Sequence, residues 1–184
     1  MAQMKRFSIV VAACQNNGIG VNNQLPWRLR KEMNYFTRIT SASCEGKQNA
    51  VVMGRKTWDS IPDKFRPLPN RVNVVLSNSL GQVPDGVYLF KSLKESLTSL
   101  SQNDSIDQIF IIGGAQVYKE AIEMNECEKV YLTKIDAHFE CDTFFPEVDL
   151  TIYKPICLPE VPTEEQQESN IKYKFFVYQR SSLA

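Results

Sequence analysis

A single histidine, His138, is all that this chain offers to chemistry that runs on imidazole. It lies in the polar stretch Asp136-Ala137-His138-Phe139-Glu140 and is expected at the surface, so no histidine-based acid–base mechanism is anticipated. An excess of charge is missing too: 21 lysines and arginines balance 21 aspartates and glutamates. That balance excludes a general pull toward nucleic acid or an anionic membrane, so any anion site must be local. No apolar run approaches the ~18 residues of a membrane span. Met1–Val10 has two positive charges but no long apolar segment with a small-residue cleavage site, so no secretory leader is expected. The five cysteines (Cys14, Cys44, Cys127, Cys141, Cys157) form no CxxC, which argues against structural zinc and a disulfide framework. Reduced thiols in the cytoplasm fit this pattern, and no metal site is expected.

What is present is an ordinary globular composition, 43% hydrophobic and 23% charged, in 184 residues that suffice for one domain spanning 1–184. Apolar runs predict strands at Phe7–Ala13, Ala50–Met53, Val72–Leu76, Val87–Phe90, Gln108–Ile112 and Val130–Ile135. Helical patterns cover Leu29–Ser41, Arg55–Ser60, Leu93–Leu100 and Gln116–Met124. This alternation implies an α/β fold whose mostly parallel sheet of about eight strands carries helices on both faces. Ile171–Tyr178 follows the polar loop Pro159–Asn170 with no helix before it. An antiparallel C-terminal edge should therefore make the sheet mixed.

In Leu29–Ser41 the residues Leu29, Met33, Phe36 and Ile39 form one stripe, opposite Arg30, Lys31, Asn34, Thr37 and Arg38. At ~100° per residue, Glu32 falls inside the apolar stripe. An acid there is costly unless it is paired or has a task, which marks a candidate site. The plain alternative is a first-turn acid favoured by the helix dipole. Before this helix, Cys14–Trp27 is a fourteen-residue connection, long enough for a working lid, with Gly18 and Gly20 giving it backbone freedom. Leu25-Pro26-Trp27 reads as an apolar hinge back to the core.

Two strand-to-helix turns suit phosphate: Gly113-Gly114 after Ile109–Ile112, and Gly54-Arg55-Lys56-Thr57 after Val51-Val52-Met53. Glycine lets the backbone approach a ligand, and a helix start offers free N–H groups. Two such cradles on one sheet suggest a pyrophosphate. Leu76-Ser77-Asn78 and Lys91 end neighbouring strands without an acid, so a 2′-phosphate is easier to place than a bare ribose hydroxyl. NADPH is thus favoured over NADH.

Leu25-Pro26-Trp27 with Glu32 five residues on, Val52-Met53-Gly54-Arg55-Lys56-Thr57-Trp58, Ile112-Gly113-Gly114 with Val117-Tyr118, and Thr143-Phe144-Phe145-Pro146 follow a familiar order. From about Ile9 to Tyr178 the chain resembles the dihydrofolate reductases, and Glu32 with the Lys172-Tyr173-Lys174-Phe175 strand resembles their eukaryotic branch. The resemblance implies reduction of 7,8-dihydrofolate to 5,6,7,8-tetrahydrofolate, by hydride transfer from NADPH to pterin C6 with protonation of N5. It places Glu32, Thr133, Leu25 and Trp27 at the catalytic centre, with Glu32 gripping the 2-amino and N3 side of the pterin. Burial should raise the pKa of Glu32, and the Thr133 hydroxyl should orient it.

The resemblance further implies that Val10 and Ile112 offer carbonyls to the pterin, beside Val11 and Tyr118. Leu25, Met33, Phe36, Ile61, Phe65 and Leu68 would form apolar walls, and Arg71 would clamp the substrate's α-carboxylate. Ala12, Gly18, Ile19 and Gly20 would meet the nicotinamide end of the cofactor. Gly54, Arg55, Lys56, Thr57, Gly113, Gly114, Gln116, Val117 and Tyr118 would hold it further along, with Leu76, Ser77, Asn78 and Lys91. Among these, Ser77, Arg55 and Lys91 are candidates for the 2′-phosphate. A cis peptide at Gly113–Gly114, antifolate binding, a monomer, a cytoplasmic location, and no need of membrane or nucleic acid complete the expectation. Met33, Phe65, Asn78 and a shortened Trp27–Glu32 span depart from the vertebrate pattern and bear on inhibitor selectivity. Two alternatives stay open: a reductase of another pterin or pyrimidine ring, opposed by Arg71, and a non-catalytic folate- or nucleotide-binding protein, opposed by Glu32 and the lid.

Overall fold

The computed structural model describes residues 3–181. In chain order its elements are β1 (Phe7–Ala13), β2 (Gly18–Gly20), α1 (Arg30–Ser41), β3 (Gln48–Gly54), α2 (Arg55–Ser60), β4 (Val72–Leu76), β5 (Tyr88–Phe90), α3 (Leu93–Ser101), β6 (Ile106–Gly113), α4 (Ala115–Ile122), β7 (Cys127–Ile135), β8 (Thr143–Phe144), β9 (Tyr153–Ile156), β10 (Gln166–Glu168) and β11 (Ile171–Arg180). The main sheet runs β10-β11-β7-β1-β6-β3-β4-β5, with β9 also on β11. Every pair from β7 to β5 is parallel, and β11 is antiparallel to β7, β9 and β10. This is the mixed, mostly parallel sheet with an antiparallel edge that the residue pattern implied.

Alternation along β1 separates two cores. Phe7, Ile9, Val11 and Ala13 pack with α3 and α4, whereas Val10 packs with Trp27, Leu29, Tyr35, Ile39 and Trp58 on the α1 and α2 side. Strands buried on both faces need apolar residues at nearly every position, which is why they read as continuous runs.

Helix α1 has no side-chain cap of its own at Leu29. Instead the Glu168 carboxylate of β10 accepts from the N–H groups of Arg30 and Lys31 at 2.7 and 2.9 Å. These backbone bonds, led by that of Lys31, hold the Glu168 carboxyl below its ordinary range. So α1 starts where a strand 138 residues later in the chain meets it. Its buried residues are Glu32, Tyr35, Ile39 and Thr40. The predicted stripe was rolled too far toward Met33, which is 45% exposed, and Phe36, which is half-buried. Packing against β7 and β11 sets the roll: Tyr35 stacks on Phe175 with ring centroids 3.8 Å apart.

The fourteen residues from Cys14 to Trp27 are not a plain loop. They contain β2, which pairs with β8, and a tight hairpin in which Val21 and Gln24 exchange backbone bonds at 2.9 Å. Asn17, Asn22 and Asn23 take the positive φ angles here. Gly18 and Gly20 serve close contact rather than turning: a Cβ at Gly18 would lie 2.3 Å from Cys141 Sγ, and one at Gly20 would lie 2.8 Å from Thr143 Oγ1.

Candidate active site

Strands β1 and β7 place Ala12 opposite Thr133, and α1 lies over this face. The Thr133 hydroxyl donates to Glu32 Oε1 at 3.0 Å, and no cation pairs with Glu32 among the described residues. Glu32 is only 7% exposed. Burial pushes its pKa up to about 7, against the opposing pull of the Thr133 hydrogen bond. Near neutral pH the group is therefore poised between carboxyl and carboxylate, with Oε2 left to accept from a ligand. Trp27 Nε1, Tyr35 Oη and Tyr173 Oη are buried polar atoms without partners in the same core.

On the other side of β1, Tyr118 of α4 donates to the Val10 carbonyl at 2.8 Å. Strand alternation turns the Val11 side chain into the α3/α4 core, away from Glu32, so its expected place beside the substrate is not that of its side chain. Ile112 falls at a register shift between β6 and β3, where Val52 pairs with Ile111 and Met53 with Gly113. Phe36, Ile61 and Leu68 pack, half-buried, on the α1-side core. Leu25 and Phe65 are 47% and 56% exposed and do not pack into the core. The hairpin lifts Leu25 off the core, and Phe65 ends a short 3-10 turn with Lys64 Nζ over its ring.

Arg71, just before β4, is 7% exposed. Its Nη1 donates to Thr40 Oγ1 and its Nε to the Pro69 carbonyl, both at 2.9 Å. No carboxylate faces it among the described residues, and burial holds its pKa below the ordinary arginine value. A buried guanidinium aimed by two neutral acceptors and lacking a counter-charge is a ready receptor for an external carboxylate.

The two glycine turns lie against each other: a Cβ at Gly54 would be 3.3 Å from Val117 and 3.7 Å from Gly114 N. Thr57 Oγ1 stands over the pair, 3.0 Å from a Cβ at Gly113 and 3.4 Å from one at Gly114. The Gly113–Gly114 peptide is cis, as expected, and Gly113 has φ 131°. Because of this φ and the Thr57 hydroxyl 3.0 Å from a Cβ, Gly113→Ala should destabilise the protein by about 2–4 kcal/mol, measured by urea unfolding. A loss below about 1 kcal/mol would mean that the turn relaxes freely.

A groove of about 580 Å³ is lined by Leu76, Ser77, Asn78, Lys91, Gln116 and Val117, all six predicted for the cofactor. It is also lined by Ser92, Leu93, Lys119, Glu120 and Glu123, which were not predicted. Ser92 was findable, because Ser92-Leu93-Lys94-Glu95 has the capping spacing and Ser92 Oγ does cap α3. Helix α4 begins at Gly114 without a side-chain cap, leaving its N–H groups to a ligand. Arg55 and Lys56 are exposed at the start of α2, with Arg55 bonded to Ser79 at 2.8 Å and facing Asp59 at 3.4 Å. Closely packed glycine turns, an uncapped helix start and flanking cations fit an anionic dinucleotide.

Two glycine turns, an uncapped helix start and flanking cations on a parallel sheet that also carries one isolated buried acid are the arrangement of a nicotinamide-dependent oxidoreductase. Comparison narrows the class. A family model for dihydrofolate reductase matches residues 6–180. The dihydrofolate reductase of Heliothis virescens is 46% identical over 185 residues, covering 98% of this chain and 100% of its relative. That of Gallus gallus is 48% identical over 188 residues, with the same coverages. The solved Schistosoma mansoni dihydrofolate reductase superposes with a TM-score of 0.87 at 38% identity, covering 97% of this chain and 100% of the other. The chain belongs to the dihydrofolate reductase family.

Proposed function

We propose that this chain reduces 7,8-dihydrofolate to tetrahydrofolate with NADPH, as a single-domain monomer of the cytoplasm. The observation that carries the reading is the isolated, buried Glu32 held by Thr133, with a pKa raised to about 7. Its free oxygen and the Thr133-bonded one together present two acceptors to the 2-amino and N3 edge of a pterin, a charge-assisted pair. Glu32 holds the ring and tunes its tautomer, while the proton for N5 arrives through water. Bound NADPH supplies the hydride. Arg71 takes the α-carboxylate of the substrate's glutamate, which distinguishes a folate from a bare pterin. The lid of Gly18, Ile19 and Gly20 covers the reacting face and excludes water. Antifolates with a protonated aminopyrimidine edge would use the same Glu32 grip. Five free thiols agree with a reducing compartment, and no helix among the described residues is long and apolar enough to cross a membrane. Nothing in the balanced charge calls for nucleic acid.

Mixing the protein with NADPH and dihydrofolate and following nicotinamide absorbance tests the reading. Binding of both without oxidation would favour a binding protein, and equal rates with a pterin lacking glutamate would favour another reductase. For the 2′-phosphate, replacing Arg55 and Lys91 together with Ala should lower the preference for NADPH over NADH by about 100-fold in kcat/KM. An unchanged preference would move that phosphate elsewhere.

A further inference from the structure

Cys44 and Cys157 are exposed and Cys127 is buried by itself, but Cys14 and Cys141 lie with their sulfurs 3.9 Å apart across 127 positions of sequence. Both thiols rest on Gly18, at 3.0 and 2.3 Å from the position of its absent Cβ, so glycine is what lets them meet. Cys14 directly follows β1, and its N–H donates to the Gly18 carbonyl at 3.0 Å. Cys141 leads into β8, whose residues pair with Gly18 and Gly20, and Asp142 N–H donates to the Gly20 carbonyl at 2.9 Å. The two sulfurs thus sit where three chain segments converge beneath the lid.

We propose that Cys14 and Cys141 are a reversible thiol–disulfide pair whose oxidation locks the lid. Closing the gap to the ~2.05 Å of a disulfide asks for side-chain rotation and release of the Cys14 Sγ bond to Asn16 Oδ1, now at 2.8 Å. Cys141 is half-buried and Cys14 buried, which sets the order of events. The Cys141 thiolate attacks one sulfur of a small-molecule disulfide such as oxidised glutathione and expels one glutathione thiolate. The Cys14 thiolate then attacks Cys141 sulfur and expels the second. The two cysteines give up two electrons and two protons, and glutathione disulfide is reduced to two glutathione thiols. Burial and the adjacent Cys14 thiol push the Cys141 thiol up, so exchange is best followed at mildly alkaline pH. The consequence for turnover rests on the proposed reductase function, because a tethered lid slows opening and product release.

The test equilibrates the full chain against mixtures of reduced and oxidised glutathione, then digests it without reduction. A Cys14–Cys141 linked peptide is expected, with a several-fold lower kcat and full recovery in dithiothreitol. Cys141→Ser and Cys14→Ser should abolish the response, and Cys44→Ser with Cys157→Ser should keep it. No linked peptide under conditions that glutathionylate Cys44 and Cys157 would overturn the pairing. A linked peptide with unchanged kcat, or a loss that persists in Cys141→Ser, would overturn the lock. The peptide is scored without any activity, so failure of the reductase assignment is seen separately.

Discussion

Glu32→Gln is expected to lose on the order of 10²–10³-fold in kcat/KM for dihydrofolate at neutral and mildly alkaline pH, and less in acid. The amide keeps the Thr133 bond but brings no charge to a ring that must become cationic, and acid supplies that proton from solution. Ligand-free stability should move the other way. A carboxyl whose folded pKa of about 7 exceeds its ordinary 4.5 stabilises the fold fully below 4.5. That contribution is lost as pH rises through 7, and nothing changes above. The span is worth roughly 3 kcal/mol, from which an incompletely bonded amide takes about 1. Glu32→Gln should thus be about 2 kcal/mol more stable than the parent at mildly alkaline pH, with a flatter pH profile. Denaturant melts across pH and steady-state kinetics measure both. Equal rates in parent and variant above neutrality would remove Glu32 from the chemistry.

Arg71→Leu is expected to raise KM for dihydrofolate by about 10²–10³-fold while cofactor affinity stays put. The guanidinium is buried, oriented by Thr40 and Pro69, and without an acid of its own. Removing it therefore strands no partner carboxylate, and stability should fall little. A substrate lacking the glutamate should lose nothing further in the variant. If the KM for dihydrofolate is unchanged, the tail binds elsewhere and the folate reading weakens.

The strands of the parallel region were legible because burial on both faces demands uninterrupted apolar runs, and β1 matched its predicted bounds. Strands β2, β8, β9 and β10 were not, since each has four residues or fewer, too short for a periodic pattern, and β2 and β8 are held only by each other across more than a hundred residues. Glu32 stood out because an acid among helical apolar positions is a local anomaly. Tyr35 and Tyr173, buried on the same core with unpartnered hydroxyls, gave no such signal, as tyrosine is at home inside or out. Arg71 looked like any surface arginine after a proline-rich loop, and its isolation emerged only from the packing around it.

By itself the sequence determined the α/β class, the antiparallel last strand, the two glycine turns and the helix that carries the acid. All of these are written in the spacing of neighbouring residues. Only the tertiary structure decided how α1 rolls, why Met33 faces water while Tyr35 does not, and that Cys14 meets Cys141. Burial and contact across more than a hundred residues depend on how strands register and helices seat, which no local pattern encodes.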